Sequence, residues 1–570
     1  MKPQAPRIDG RTTFIKTASP FDDNDSSQFR TGIRGVIGLP NMNKRHIVVF
    51  SGGSAANNLV DVFSKVAEDK GCSLSYIIPI SDNGGSSSEL IRVFGGPGIG
   101  DVRSRLVRLI PEDPSIPETT AIKTLFNHRL SISPSLARIE WLDIVEGRHL
   151  LWTSISSEKR ELIRSFLNTI NLEIVKRLRP SSSFNFQSAS VGNLFLTGAR
   201  LFMGSFESAI YLLGAITGVP NNVNVIPAIN SNFSHHISAG LQDGTIITGQ
   251  NSISHPSAPS APAPIPTPTP HPPTFGDNFS QEPDSISQLK EEEEIIAMSP
   301  TTAHLRTLSK ELSEHEAIED ANLPGSLPTL RKQYITFHKS HTEDLPSRIE
   351  RIWYINPYGQ EIRPAANAKV LASIGGASAV VYSIGSLYTS LVPCLILRDV
   401  GKFIAGSASS GLGVNGSSSG GGAGVKYKIL ILNGSLDRET RAAGGVEFTA
   451  KDFIAAIADA CVSSRSSLAS SSGAGAGLLK ARDEEYKDYV THVIHLQGEG
   501  TPRVEKEELS RLGIECVRIY GRKKEGEDGD GGMIYDGTAL GQALEAIIGG
   551  PKRFSDRSRR NTLGISGVGG

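Results

Sequence analysis

Residues 46–85 read HIVVFSGGSAANNLVDVFSKVAEDKGCSLSYIIPISDNGG, and they contain two apolar runs with a helical stretch between them. HIVVF and SLSYIIPI are short and β-rich, and each runs into a turn that contains glycine. In the intervening stretch, apolar residues recur at helical spacing at Leu59, Val62, Phe63 and Val66. A strand, a helix and a second strand, with both strands apolar throughout, are typical of a parallel sheet. The sequence therefore predicts an α/β fold with a mostly parallel sheet and helices on both faces.

The rest of the chain predicts one α/β domain that is interrupted by low-complexity segments. Helical patterns occupy residues 158–178 and 188–218, and residues 237–254 predict a hairpin that turns at Asp243–Gly244. A proline-rich run at Ser257–Thr274 and an acidic run after it are typical of a flexible insertion. We therefore predict a disordered N-terminus at 1–43, a single domain formed by 44–255 and 346–549, a disordered Pro-rich and acidic insertion at 256–345, and a flexible tail at 550–570.

Composition excludes several classes of protein. A formal net charge of −1 over 570 residues gives no global field that would attract nucleic acid or an anionic membrane. The four cysteines are far apart and form no CxxC pair, which argues against a zinc site or a disulfide scaffold. The apolar run Ala379–Leu397 contains serine, threonine, glycine and proline, which favour a buried strand, a loop and a helix start over a membrane span. The N-terminal residues carry acids and no apolar leader, so we predict a cytoplasmic protein that binds neither nucleic acid nor membrane.

The loop after the first strand, FSGGSAANN, is suited to bind an anion. Gly52 and Gly53 allow backbone N–H groups to approach a phosphate closely, and Ser54 and Asn57 add side-chain donors. The loop matches neither GxGxxG nor the Walker pattern that ends in GK[ST]. Two interpretations stay open from these residues: a phosphate cradle, or a tight strand-to-helix turn without a ligand.

The loop after the second strand places Asp82 at the carboxyl end of that strand, the edge at which open parallel sheets bind ligands. The stretch that follows includes Gly84, Gly85 and Ser86 and is rich in N–H and hydroxyl groups. Such groups suit an anion better than the ribose of a dinucleotide. This loop therefore predicts a second set of phosphate donors.

Asp101 stands at the start of a predicted helix, and Arg103, Arg105 and Arg108 follow it. Two carboxylates beside phosphate donors suit Mg²⁺, which takes one or two carboxylates together with substrate oxygens. Arginine suits phosphate because its guanidinium donates two parallel hydrogen bonds. The alternatives are that Asp101 is a plain helix N-cap and that the arginines form a solvated helix face.

Further segments of the same character follow along the chain. Gly192 and Asn193 interrupt an apolar helical pattern, which indicates either a ligand contact or close helix packing. Gly385 and Ser386 come directly after a strand, and Asn433 comes directly after another. Because ligands bind at the carboxyl edge of a parallel sheet, we expect these loops to form one site.

Taken in order, these segments resemble the CofD family, which includes 2-phospho-L-lactate transferases and YvcK-type proteins, also called gluconeogenesis factors. The resemblance covers residues 46–255 and 346–548. The segments similar to family motifs are Gly52–Ala55 for GGTG, Asp82–Ser88 for an acid followed by GGSSG, Asp101 and Arg103 for PPGD[IV]R, Ser190–Asn193 for S[FV]GN, Asp243–Ile253 for the hairpin element, Gly385–Pro393 for GSLYTS and its proline, and Asn433 with Glu439 and Thr440 for the late N and E-T. Ser383 and Ile384 replace the Gly-Pro pair that the family has before Gly385.

The resemblance implies a Rossmann-like, three-layer α/β fold that binds a nucleoside-diphosphate-type ligand. In the transferase branch it implies Mg²⁺-dependent transfer of a phospholactyl group from a guanosine diphosphate donor to the hydroxyl of a deazaflavin, with release of GMP. Carried onto this chain, it makes Asp82 and Asp101 the catalytic and metal-binding residues. It also implies that phosphate is bound by Gly52, Gly53, Ser54, Asn57, Gly84, Gly85, Ser86, Arg103, Gly192, Asn193, Gly385, Ser386 and Asn433.

A second branch of the family gives an alternative function. The segments GNLFLTGA, ITGQNSI and GSLYTS are similar to YvcK-type proteins, which implies a regulator that binds a nucleotide sugar. A generic NAD(P) enzyme ranks third, because the glycine fingerprint is interrupted at Ala55 and Ala56. The resemblance also implies a homodimer, and the insertions suggest a eukaryotic, fungal-like member.

Overall fold

The computed structural model describes residues 45–81, 84–112, 115–178, 183–254, 327, 330, 344–406, 424–441, 447–465, 479–524 and 532–549. All of these belong to one unit, Arg45–Gly570. The predicted N-terminal segment 1–43, the C-terminal tail 550–570 and nearly all of the predicted insertion 256–345 lie outside the described residues, and so does Asp82.

The described strands form three sheets. Their bounds are β1 His46–Phe50, β2 Ser73–Ile78, β3 Val223–Pro227, β4 His236–Leu241, β5 Ile246–Thr248, β6 Ile349–Ile355, β7 Glu361–Ile362, β8 Ala379–Tyr382, β9 Tyr427–Ile431, β10 His492–His495, β11 Glu515–Arg518, β12 Gly521–Lys523 and β13 Met533–Tyr535. The central sheet has seven strands, in the order β11-β10-β9-β8-β1-β2-β3, and every neighbouring pair is parallel. This sheet, with helices around it, confirms the predicted Rossmann-like α/β fold.

Helices connect and cover the strands. Their bounds are α1 Ser54–Asn57, α2 Val60–Asp69, α3 Ser86–Phe94, α4 Gly100–Arg108, α5 Pro117–Asn127, α6 Pro134–Glu146, α7 Ser157–Arg177, α8 Val191–Met203, α9 Phe206–Thr217, α10 Gln250–Ser254, α11 Ala368–Gly375, α12 Val392–Leu395, α13 Val400–Ala405, α14 Ala450–Arg465, α15 Lys506–Arg511 and α16 Gly537–Gly549. A π-helical turn at Leu387–Leu391 precedes α12 directly. Within the described part of the chain, no helix combines the length and apolar character needed to cross a membrane.

The centre of the sheet explains why the opening segment is so apolar. Val48, Val49 and Phe50 of β1 are fully buried, and Val48 lies between Ser75 of β2 and Val380 of β8. Strands that are covered on both faces read as continuous apolar runs, because neither face meets water. The apolar run at residues 379–397 forms β8, the π turn and α12, as predicted.

A second sheet, antiparallel and four-stranded, has the order β5-β4-β6-β7. The predicted hairpin is confirmed as β4 and β5, and Gly244 has a φ of 88° in its turn. β4 also pairs with β6, which lies beyond the predicted insertion. Strands on the two sides of residues 256–345 therefore join in one sheet, which the separate strand patterns did not predict.

The helical stretch after β1 is not continuous. It forms the short helix α1, breaks at Asn58 and Leu59, and resumes as α2. A helix of four residues has too few aligned peptide groups to produce a strong dipole. Anion binding at the first loop therefore has to rest on the individual N–H groups of the loop.

Candidate functional site

A cleft of about 610 Å³ lies at the carboxyl ends of β1, β2 and β8. The chain runs outward from β1 to β3 on one side of the sheet, and from β8 to β11 on the other. The boundary between β1 and β8 is thus the point at which strand order reverses, where α/β sheets bind ligands. The predicted residues that line this cleft are Gly52, Gly53, Gly84, Gly85, Ser86, Asp101, Arg103, Asn193, Gly385 and Ser386.

The first loop packs tightly against Asp101 and Ser390. A Cβ atom built on Gly53 would lie 2.1 Å from Oδ1 of Asp101, and one built on Gly52 would lie 2.2 Å from Oγ of Ser390. Any larger residue at either position would have to displace these side chains. Both glycines are therefore needed for the loop to approach the carboxylate and the hydroxyl.

Asn57 has a structural role in this loop. Its Nδ2 donates to Oγ of Ser104 at 2.7 Å, and the residue is not among those that line the cleft. The prediction that Asn57 contacts the ligand is therefore not supported by its position. The side chain of Ser54 lies outside the described residues.

The second loop enters α3 through Gly85, whose φ of 54° is the left-handed conformation that favours glycine. Ser86, the first residue of α3, is buried, and its Oγ accepts from Nδ2 of Asn193 at 3.1 Å. This hydrogen bond joins the second loop to the start of α8. Gly84, Gly85, Ser86 and Ser87 all line the cleft.

Asp101 lies in the first turn of α4, and the helix begins one residue before it. The N-cap position belongs to Ile99, and no side chain caps the helix there. The alternative that Asp101 is a plain N-cap is therefore wrong. Its carboxylate instead lies against Gly53 at the wall of the cleft.

The arginines of α4 do not form the solvated face that was the alternative interpretation. Arg103 and Arg105 are 8% and 1% exposed, whereas Arg108 is partly exposed and pairs with Asp61 at 2.5 Å. The first loop and α8, which come from distant parts of the sequence, cover this side of α4. Nε of Arg103 donates to Oδ1 of Asn193 at 3.2 Å, which fixes the guanidinium at the cleft.

Gly192 supports the site without lining it. A Cβ atom at this position would lie 2.6 Å from the carbonyl oxygen of Phe126 and 2.8 Å from Cδ of Arg103. The glycine therefore leaves room for Arg103 beside α8. The packing interpretation holds for Gly192, and Asn193 in the same turn lines the cleft.

We expect Gly192→Ala to destabilise the fold by about 1–3 kcal/mol, as overpacking does, and to weaken phosphate binding about tenfold by displacing Arg103. Urea unfolding and calorimetric titration with inorganic pyrophosphate measure the two effects. The matched control is Gly214→Ala in α9, where a Cβ atom would meet nothing within 4 Å. Normal pyrophosphate affinity in Gly192→Ala would contradict this role.

The third segment comes from the C-terminal half of the sheet. Gly385 has a φ of 140°, and both its N–H and its carbonyl are bound by the side chain of Asn433 at 2.9 Å. Asn433 therefore holds the loop in place, and Gly385 and Ser386 line the cleft. A direct ligand contact therefore stays a prediction for Gly385 and Ser386, whereas the position of Asn433 does not support one.

Glu439 lies behind the π turn and supports a segment that lines the cleft, a role that the sequence analysis did not assign to it. Its Oε2 accepts from the N–H groups of Tyr388 and Thr389 at 2.8 and 3.1 Å, and its Oε1 accepts from Oγ1 of Thr389 at 2.5 Å. Complete burial, together with nearby Asp437, raises the pKa of Glu439 to about 8. The motif match at Glu439 was the signal that could have indicated this role.

Several residues that line the cleft have no clear signal in the sequence. Arg129 is exposed at the mouth, and the isolated bridge between Arg129 and Ser190 brings it beside α8. The others are Ser104, Ser188 and Ser254, whereas Ser87, Gln250, Asn251, Thr389 and Ser390 line the cleft from segments that resemble family motifs.

The cleft combines several sources of positive potential. The first turns of α3, α4 and α8, which have 9, 9 and 13 residues, all contribute to its lining. Helix N-termini present the positive ends of helix dipoles. Arg103 and Arg129 add full positive charges, so the arrangement favours an anion such as a phosphate.

Among the described residues, one group of side chains has the spacing of a metal site, but its hydrogen bonds argue against that role. His128, Glu140 and His149 place their ligand atoms within 4.8 Å of one another. Nδ1 of His149 accepts from the N–H of Leu151 at 3.2 Å, so the proton of a neutral ring lies on Nε2, the atom that faces Glu140. His128 and Ser131 also bind Glu140, which makes the cluster a hydrogen-bonded network.

Sequence comparisons show which known proteins this chain is similar to. Residues 47–505 match the family model described as 2-phospho-L-lactate transferase CofD. The uncharacterized Saccharomyces cerevisiae protein YNL011C is 37% identical over 481 residues, which cover 84% of this chain and 96% of that protein. A gluconeogenesis factor from Halalkalibacterium halodurans is 25% identical over 212 residues, which cover 37% of this chain and 46% of that protein.

A crystal structure of the Bacillus halodurans protein BH3568 aligns with 88% of this chain and 99% of its own, at a TM-score of 0.47 and 17% identity. The family model spans both halves of the central sheet and every loop of the cleft that has been described above. This chain is therefore a member of the CofD family.

Proposed function

We propose that the cleft binds a nucleoside-diphosphate-type ligand through its phosphates, with Mg²⁺, and that the chain acts as a CofD-type transferase. The observation that carries the proposal is the meeting of three helix N-termini and two arginines on one cleft beside Asp101. Phosphoryl transfer depends mostly on positioning and on stabilisation of charge, and this cleft supplies both.

Asp101 fits the requirements of Mg²⁺. A carboxylate beside serine and threonine hydroxyls, with room for phosphate oxygens and water, matches the oxygen ligands that this ion prefers. The bound ion would neutralise charge on the phosphate oxygens. The tight approach of Gly53 to Asp101 would keep the carboxylate next to the phosphates.

In the proposed reaction, the hydroxyl oxygen of a deazaflavin forms a bond with the phosphorus that carries the lactyl group. The bond between that phosphorus and the oxygen bridging to GMP breaks, and GMP leaves with the bridging oxygen and its electron pair. The proton of the hydroxyl passes to solvent. Arg103 and Arg129 would bind the charged oxygens of the group in transfer.

A regulator that binds a nucleotide sugar is the second candidate, and one observation favours it. Asp101 is the one carboxylate among the described residues of the cleft, and a metal ion would occupy it. No described residue of the lining then remains as an evident general base. The 25% identical gluconeogenesis factor agrees with this alternative.

A ligand screen tests both candidates. We expect GDP or UDP compounds to raise the melting temperature of the full chain in the presence of Mg²⁺, by an increment that grows with ligand concentration. Arg103→Ala should lose this effect, whereas the matched control Arg108→Ala, on the same helix but paired with Asp61 outside the cleft, should keep it.

Turnover then separates the two candidates. Release of GMP from the phospholactyl donor in the presence of a deazaflavin, followed by ³¹P NMR, supports the transferase. Saturable binding of a UDP-sugar without turnover of the phospholactyl donor supports the regulator. Failure of every nucleoside diphosphate to bind, with and without Mg²⁺, would overturn the proposal.

A further inference from the structure

Beneath the first loop lies a buried cation that none of the family motifs includes. Arg105 is 1% exposed, and no described carboxylate forms an ion pair with it. Its guanidinium lies over the ring of Tyr76 at 4.5 Å from the centroid. Burial lowers the pKa of Arg105 only to about 10, so the side chain remains charged at neutral pH.

The hydrogen bonds of Arg105 converge on the loop. Nη2 donates to the carbonyl oxygen of Gly52 at 3.3 Å and to Oγ of Ser51 at 3.1 Å, and Nη1 donates to the carbonyl oxygen of Ala56 at 3.3 Å. One guanidinium thus holds both ends of the turn that separates β1 from the cleft. Nε has no hydrogen-bond partner among the described residues.

The orientation of one peptide group follows from these contacts. In a trans peptide the carbonyl and the N–H of the next residue point in opposite directions, and the described chain has no cis peptide. The Gly52 carbonyl points at Arg105, so the N–H of Gly53 points away from it. Gly53 lines the cleft, and within the described residues its N–H donates to no backbone carbonyl.

We propose that Arg105 is a positioning residue for phosphate binding: it fixes the Gly52–Gly53 peptide so that the Gly53 N–H faces the ligand. Its charge also lies under the loop in a medium of low dielectric, where it attracts an anion more strongly than a solvated arginine would. The inference rests on the proposed function of the cleft, and it specifies the diphosphate as the part of the ligand that Arg105 affects.

The structure offers a matched control for this inference. Arg200 is also buried, at 7% exposure, and it too donates to backbone carbonyls, including that of Gly95 at 2.9 Å. Burial lowers its pKa to about 10 as well. Arg200 does not line the cleft and does not contact the first loop. Its replacement therefore measures only the structural effect of removing a buried arginine.

The experiment compares Arg105→Met, Arg105→Lys and Arg200→Met in the full chain. Calorimetric titration with inorganic pyrophosphate and with GDP, in the presence of Mg²⁺, gives affinities, and urea unfolding gives stability. We expect Arg105→Met to bind both ligands at least about tenfold more weakly, and by the same factor, because the base is not involved. Arg105→Lys should recover part of the loss because it keeps the charge.

Arg200→Met is expected to lose stability and to bind both ligands normally. If Arg105→Met does not fold, Ser51→Ala and Arg105→Lys carry the test, and each should weaken pyrophosphate binding about threefold or more. Unchanged affinity in these variants, or an equal loss in Arg200→Met, would overturn the role of Arg105 while leaving the cleft intact. Absence of pyrophosphate and GDP binding in the unmodified chain would instead overturn the proposed function and this inference with it.

Discussion

The Asp101→Asn variant is expected to fold normally and to lose Mg²⁺-dependent nucleoside diphosphate binding by at least about a hundredfold. Removing a residue that hydrogen-bonds to a metal ligand typically lowers metal affinity about 10- to 100-fold. Removing the charge of the ligand itself should lower the affinity further. Asparagine keeps the shape that fits against Gly53. Titration of GDP at increasing Mg²⁺ measures the effect.

Stability provides the internal control for this prediction. Asp101 does not cap α4, so the helix end itself should lose only the interaction of a first-turn acid with the helix dipole, about 0.3–1 kcal/mol. Asp61→Asn serves as the matched carboxylate, since Asp61 is mostly exposed and pairs with Arg108. An Asp101→Asn variant that still binds GDP in a Mg²⁺-dependent manner would remove Asp101 from the metal site.

Glu439→Ala is expected to destabilise the chain by about 3 kcal/mol or more. The change leaves the N–H groups of Tyr388 and Thr389 and the Thr389 hydroxyl buried without their acceptor, and each such group costs about 1–3 kcal/mol. Thr389 and Ser390 line the cleft, so ligand binding should weaken as well. Urea unfolding measures the loss of stability.

Glu439→Gln keeps the shape of this side chain and removes its ability to ionise. The amide oxygen can accept from both N–H groups, and the amide nitrogen can donate to Thr389. In the unmodified chain the pKa of Glu439 is raised from 4.5 to about 8, so the folded state holds a proton that the unfolded state has lost. The free energy of unfolding should therefore fall between pH 4.5 and pH 8, and Glu439→Gln should remove most of this fall.

Unfolding at pH 5 and pH 8 tests that expectation. The variant should gain stability relative to the unmodified chain at pH 8. Burial also raises the pKa of Asp437, which remains in the variant and should leave a smaller dependence of the same sign. Parallel pH profiles for the two proteins would show that the Glu439 carboxyl is ionised in the folded state.

Local patterns were sufficient to predict the parallel sheet and about half of the residues that line the cleft. β1 and β2 are apolar because both their faces are covered, and Gly52 and Gly53 mark the close approach of backbone to side chain. These properties depend on a few adjacent residues. The same holds for the turn at Gly244, where a positive φ favours glycine.

Properties that depend on distant segments could not be predicted. Arg105 follows Arg103 in a polar sequence, and its burial depends on α4 packing under the first loop. Asn433 and Gly192 have the residue types of ligand contacts. Asn433 instead holds the loop at Gly385, and Gly192 leaves room for Arg103. The alternative that Asp101 is an N-cap was wrong because α4 begins at Gly100 and Ile99 occupies the N-cap position.

The pairing of β1 with β8 has a consequence for how the protein reaches its native state. Oγ of Ser378 donates to the carbonyl of His46 across 332 residues of chain. Loop-closure entropy grows only with the logarithm of length, so this separation costs little at equilibrium, but contacts of such high order form slowly. The first and second loops of the cleft can form early during synthesis, whereas the part of the cleft lined by Gly385 and Ser386 forms only after the C-terminal half has been made. Ligand competence should therefore be among the last properties that the folding chain acquires.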